Sequence, residues 1–182
     1  MASKSYALFE TAIGVCGIVW GERGILGIEL PEKDEAATRR RLLRRYAGAV
    51  EAAPTQTVQQ AVDAIVALLR GERQDLSTIE LDMARIQPFE RRVYEVARSV
   101  PPGEVITYGD IAKKLGDPMA AQAVGAALGK NPFPIVVPCH RVVGAGVKLG
   151  GFSARGGVKT KRRMLAIERS PAAGTPDLFE TN

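Results

Sequence analysis

Apolar positions change their rhythm twice along this chain. Between residues 5 and 30 they come in short runs: Tyr6-Ala-Leu-Phe9, Gly14-Val-Cys-Gly-Ile-Val-Trp20 and Gly24-Ile-Leu-Gly-Ile-Glu-Leu30. Turn residues such as Gly21-Glu22-Arg23 separate them, and Pro31 closes the last one. That is the pattern of a small sheet. Asp34 is placed to cap a helix reaching to about residue 46, in which Arg39, Arg40, Arg41, Arg44 and Arg45 read as a solvated face. Thr57 opens a second predicted helix, with Val58, Ala61, Ile65 and Leu68 at helical spacing, and Gly71 ends it. Residues 76–86 read as a linker with a short extended piece.

From Pro88 the period is helical throughout. Phe89, Val93, Val96 and Ala97 share a face of one helix, which Pro101-Pro102-Gly103 stops. Thr107 can cap a helix over 108–115, Gly116-Asp117-Pro118 reads as a turn, and a third helix covers 119–130. Two short helices across a tight turn, behind a supporting helix, form a helix-turn-helix pattern. The third helix carries almost only Ala and Gly, which suits close packing against a neighbour or close approach to a DNA groove. A last helix spans about 158–168, and the stretch from Ser170 is expected to be a disordered tail.

Composition narrows the class. Of 182 residues, 46% are hydrophobic and 25% charged, enough apolar content to offset chain entropy and exclude wholesale disorder. No apolar run approaches the ~20 residues that a membrane helix needs, and residues 1–10 lack a signal-peptide pattern, so a cytoplasmic protein is expected. The net charge of +5 is lopsided: residues 1–87 hold 11 basic and 12 acidic side chains, residues 88–182 hold 14 and 8. This shift, with Pro88, divides the chain into an α/β domain over 1–86, a basic domain over 87–169 and the tail over 170–182. The basic half suits a polyanion through counterion release, or simply a solubilising surface.

Two cysteines and one histidine leave no material for a disulfide framework or a four-ligand metal site, so neither metal nor cofactor is expected. Gly144-Ala-Gly-Val-Lys-Leu-Gly150 lacks the spacing of a dinucleotide fingerprint. The chemistry concentrates at Asn131-Pro-Phe-Pro-Ile-Val-Val-Pro-Cys139-His140-Arg141-Val142. A thiol becomes a nucleophile beside a base or a cation. Neighbours in an extended chain point to opposite sides, so His140 serves the Cys139 sulfur only if the backbone turns there or a water bridges them. Glu168 is a candidate to orient the ring.

Pro138-Cys139-His140-Arg141-Val142 resembles the active-site signature of the O6-alkylguanine-DNA alkyltransferases. Gly103-Glu-Val-Ile-Thr-Tyr108-Gly-Asp-Ile-Ala112, Ala123-Val-Gly-Ala126 and Asn131-Pro follow the family in order and spacing. The resemblance implies a ribonuclease-H-like α/β N-terminal domain, then a winged-helix or helix-turn-helix-like domain carrying the cysteine. It implies single-turnover transfer of an alkyl group from O6 of a flipped guanine, with O4-alkylthymine as a second substrate, to Cys139. His140 would take the thiol proton through a water, and Glu168 would hold the imidazole. Tyr108 would meet the base ring, Asn131 would brace the turn with structural support from Arg141, backbone groups near Val142 would face the guanine amine, and Ser153 and Lys161 would line the substrate. Gln122, Ala123, Gly125, Arg141 and Arg155 would meet DNA. The implied partner is duplex DNA, bound by a monomer that can cluster cooperatively.

Two departures stand out. Gln122 replaces the family's usual arginine before Ala-Val-Gly, bringing shorter reach and no charge. Ala154-Arg155 separates Ser153 from Gly156-Gly157, where the family often runs serine directly into the glycines. Two other readings stay open: a lesion-binding relative without transfer, although such relatives lack the cysteine, and a helix-turn-helix regulator.

Overall fold

A computed structural model describes residues 2–174. The first half is a mixed sheet with a helix on each face. Strands β1 (Ser5–Thr11), β2 (Gly14–Gly21) and β3 (Gly24–Glu29) form an antiparallel meander, registered Tyr6 to Val19 and Ile18 to Ile28. Helix α1 (Glu35–Arg45) follows, and β4 (Val50–Glu51) then pairs parallel to β1, giving the order β3-β2-β1-β4. Helix α2 (Gln56–Leu69) covers the other face.

Alternation along β2 sorts its side chains between two layers. Ile18 and Trp20 join Val58, Ala61, Ile65 and Leu68 of α2, while Val19 joins Tyr6 and Leu42 of α1. Helix α1 lies so close to the sheet that a Cβ on Gly27 would stand 1.8 Å from the Tyr46 hydroxyl. Asp34 caps α1 as expected, its carboxylate accepting from the Ala37 N–H. Helix α2 starts two residues earlier than expected, because Thr55, not Thr57, supplies the capping oxygen. The two-residue β4 carries no period for a sequence reading to find.

The arginines of α1 are not uniformly solvated, which corrects the expectation of a solvated face. Arg41 and Arg45, one turn apart, fold over the buried Glu29 of β3 at 2.7 and 3.3 Å, and Arg41 also pairs with Glu32. Burying a lone carboxylate is costly, so cations collect where the strand inserts one.

The second half begins with α3 (Pro88–Arg98), followed by β5 (Ile106–Thr107), α4 (Tyr108–Lys114), α5 (Ala121–Gly129), β6 (Val142–Val143) and α6 (Val158–Ile167). Thr107 caps α4 as expected, and β5 pairs parallel with β6. Helices α4 and α5 meet across residues 115–120 with α3 behind them.

The two halves share one apolar core: Ile28 and Leu30 belong to the same cluster as Tyr94, Phe133, Ile135 and Met164. Residues 76–86 are tied at both ends. The Arg98 guanidinium donates to the carbonyls of Leu76, Ser77 and Ile79, and Ile25 bridges to Leu81. The expected disorder from Ser170 does not begin there. Pro171–Ala173 forms a 3-10 turn, and Ser170 and Ala173 are buried. The rest of that stretch lies outside the described residues.

Candidate active site

The loop between α5 and Cys139 is held by its own backbone and one side chain. Asn131 donates from Nδ2 to the Val137 carbonyl at 2.9 Å, and its Oδ1 accepts from the Phe133 N–H at 2.8 Å. The Val137 N–H returns to the Phe133 carbonyl at 2.8 Å. Inside this clasp the buried Ile135 takes φ +76°, a left-handed conformation that a β-branched residue rarely adopts. Such strain costs about 1–3 kcal/mol and persists only where the surroundings enforce it. From the other side, the Ile28 N–H of β3 donates to the Pro132 carbonyl at 2.9 Å, so the first half of the chain also clamps the loop.

The loop delivers Cys139 and His140 into a 3-10 turn, Cys139–Arg141. This is the backbone turn that the sequence reading required. Cys139 is half-buried, while His140 and Arg141 are buried. The His140 Nε2 stands 2.8 Å from Glu168 Oε1 at the end of α6. Arg141 reaches the same carboxylate twice, from Nε at 2.9 Å and Nη2 at 2.7 Å, and donates a third bond to the Val100 carbonyl at 2.7 Å. Burial works to raise the Glu168 carboxyl, but the hydrogen bonds and charges of His140 and Arg141 outweigh it and hold the group at about 2. An ionised carboxylate only accepts, so Nε2 must carry the imidazole proton and Nδ1 the lone pair. That Nδ1 is buried and unpartnered. Burial lowers the His140 pKa below the usual imidazole value, against the opposing pull of Glu168, so the resting ring is neutral and basic.

Burial raises the Cys139 thiol, while the Asn131 amide, the Lys161 charge and the backbone of the turn pull it down. Lys161 is itself fully buried, donates from Nζ to the Val142 carbonyl at 2.6 Å and stands 5.8 Å from the Tyr108 ring centroid. Desolvation lowers its pKa to about 8. Glycine suits position 150, because its φ is +69° and a Cβ there would crowd the Tyr108 hydroxyl at 3.2 Å.

A cleft of about 520 Å³ opens beside the sulfur, lined by Tyr108, Gly125, Leu128, Cys139, Phe152 and Ser153 among others. That is within the ~300–1,000 Å³ range of ligand pockets. The structure therefore brings together Cys139, His140, Glu168, Asn131, Tyr108, Gly125 and Ser153. Gln122 and Ala123 are exposed on α5 beside it, and Arg155 is exposed on the loop before α6.

Three expectations need correction. Arg141 is 5% exposed, with its guanidinium committed to Glu168 and Val100, so it supports the turn and has no free face for DNA. The Val142 and Lys161 side chains are fully buried, with Lys161 donating to the Val142 carbonyl, so neither side chain lines the cleft. Glu29, Arg41 and Arg45 escaped the sequence reading, although they line a second hollow that reaches Cys139. Only the folding of α1 onto β3 brings them there. Among the described residues no helix is long and apolar enough to cross a membrane, and no cluster of His, Cys, Asp and Glu is grouped to hold a metal.

A mixed α/β half clamped onto a helical half, with a cysteine presented on a 3-10 turn beside a histidine–glutamate pair, defines the class of cysteine-dependent DNA alkyltransferases. The family profile described as "6-O-methylguanine DNA methyltransferase, DNA binding domain" matches residues 88–170. A methylated-DNA–protein-cysteine methyltransferase of Mycolicibacterium paratuberculosis is 45% identical over 120 residues, covering 66% of this chain and 70% of its own length. Its namesake from Methanothermobacter thermautotrophicus is 33% identical, covering 84% and 78%. The crystal structure of Mycobacterium tuberculosis OGT in complex with DNA superposes with a TM-score of 0.72 at 32% identity, covering 93% of this chain and 96% of that one. This chain belongs to the methylated-DNA–protein-cysteine methyltransferase family.

Proposed function

We propose that the protein repairs alkylated DNA by moving the alkyl group of O6-alkylguanine irreversibly onto Cys139. The observation that carries this reading is the sulfur at the cleft wall, one residue from a neutral imidazole whose far nitrogen is fixed on Glu168. The exposed side of α5, with Gln122 and Ala123, meets duplex DNA through the helix-turn-helix formed with α4. The target base lies inside the duplex, so it must turn out of the stack to enter the cleft. Gln122 enters the space it leaves.

In the cleft, the Cys139 proton passes to His140 Nδ1 through a water, and Glu168 stabilises the imidazolium that forms. The thiolate attacks the alkyl carbon. The S–C bond forms as the C–O6 bond breaks, and its electron pair leaves with guanine. Tyr108 donates a hydrogen bond to the base as that charge develops, and Ser153 meets the oxygen. Asn131, Arg141 and Lys161 hold the turn in place. The product is a thioether with no leaving group for water to displace, so each molecule reacts once. The protein acts as a cytoplasmic monomer.

The test is intact-mass measurement after incubation with duplex DNA carrying O6-methylguanine. The expected result is a gain of one methyl group, absent in Cys139→Ala. Retained binding with no mass gain would overturn transfer and support the lesion-binding reading.

A further inference from the structure

Cys139 lies where two hollows meet. One is the cleft under α5 that takes the base. The other lies between the first half of the chain, with Glu29, Arg41 and Arg45, and the wall formed by Leu128, Pro134, Ser153 and Arg155. Its free space is about 30 Å³. A water needs roughly 10–15 Å³ on this measure, so the hollow holds a group the size of a carboxylate and not an aromatic ring.

The charges of this hollow do not balance. Glu29, 3% exposed, takes Arg41 at 2.7 Å and Arg45 at 3.3 Å, and Glu32 takes a second contact from Arg41. Arg155 pairs with no carboxylate among the described residues. Three guanidiniums thus stand against two carboxylates, and the one without a carboxylate, Arg155, is exposed on the loop before α6. Arg45 is 39% exposed and holds Glu29 through a single long contact, so it has donors to spare.

We propose that this hollow is a subsite for the outer end of the O6 substituent, and that its arginines select substituents bearing a negative charge, carboxymethyl being the smallest. The proposal rests on the alkyltransferase reading of Cys139. A base in the α5 cleft presents its O6 substituent at the sulfur, and whatever extends beyond the reacting carbon enters the second hollow. There Arg155 and Arg45 supply charge-assisted hydrogen bonds to a carboxylate. The chemistry is otherwise the same. The S–CH2 bond forms, the O6–CH2 bond breaks, and the thiol proton leaves through His140 while guanine takes up one proton. The product is S-carboxymethylcysteine.

The experiment compares single-turnover transfer from three duplexes of one sequence, carrying O6-carboxymethylguanine, its uncharged isostere O6-carbamoylmethylguanine, or O6-methylguanine. Each protein is scored by its carboxymethyl-to-carbamoylmethyl rate ratio, in which general losses of folding or DNA binding cancel. The parent should prefer the carboxylate by about tenfold, the worth of one charged hydrogen bond. Arg155→Gln and Arg45→Gln should each lower that ratio, and the double variant should bring it near one, while Arg155→Lys should retain most of it. A parent ratio near one overturns the proposal. So does a ratio that survives in the double variant while all three rates fall together, the signature of phosphate contacts. Failure of the methyl duplex to react at all would overturn the alkyltransferase reading, and the subsite with it.

Discussion

His140 and Glu168 meet at 2.8 Å through Nε2 and Oε1, and the other imidazole nitrogen, Nδ1, is buried without a partner. The two facts are linked. A carboxylate held ionised by Arg141 dictates which nitrogen carries the proton, and so which one is free to act as a base.

The first prediction concerns acid pH. Burial lowers the His140 pKa, and the ring must be neutral to take a proton. Methyl transfer from free O6-methylguanine, which needs no duplex, should hold steady from neutrality down to about 6.5, the ordinary imidazole value, and decline only below it. A pH–rate profile with its acid limb above that value would contradict the neutral resting state.

Glu168 also links the site to stability. Its folded value near 2 lies below that of an unfolded glutamate, so the carboxylate contributes stability above roughly pH 4.3. That contribution fades as the pH falls from there through 2. The shift corresponds to a contribution on the order of 3 kcal/mol. Urea titrations at pH 7 and pH 3 should show a smaller pH effect in Glu168→Gln than in the parent. An equal effect in both would locate the acid sensitivity elsewhere.

Asn131→Ala should unfasten the loop. It removes two hydrogen bonds and leaves the Phe133 N–H and the Val137 carbonyl without their partner. Each such buried loss costs ~1–3 kcal/mol, and the left-handed Ile135 loses its clasp. Denaturation should show destabilisation of that order per bond. Alkylation of Cys139 should slow even at temperatures where the variant is folded, and full activity there would show that the clasp serves stability alone.

Gln122→Arg should strengthen action on duplexes only. A guanidinium on the exposed face of α5 reaches further than an amide and adds a charge. Duplex repair should accelerate, and the salt dependence of binding should steepen by about one phosphate contact. The gain should be missing with free O6-methylguanine. Faster reaction with the free base would mean that the arginine alters the cleft instead.

Much of the local structure was legible because its causes are local. Asp34 and Thr107 cap their helices from within three residues, and the turns at 21–23 and 116–118 show in their residue types. The chemistry at Cys139 came from the resemblance of Pro138-Cys139-His140-Arg141-Val142 to a family signature, since the residues alone left open whether the backbone turns there. Lys161, Val142 and Arg141 were misassigned because a basic or backbone group near a reactive cysteine reads alike whether it faces substrate or the protein interior. Helix α6 packs Lys161 inward onto the Val142 carbonyl, and Glu168 at its end draws in Arg141.

What the sequence determined by itself was the order of the three long strands and the helices, though not the two-residue β4, β5 and β6, and, through the resemblance, the reactive cysteine with its histidine and the family. The tertiary structure alone decided that Arg41 and Arg45 fold over Glu29, that both halves share a core, and that the sulfur stands between two hollows. The physical reason is distance along the chain. Periodicity and capping record a residue's near neighbours, while the burial of a charge depends on which remote segment packs over it.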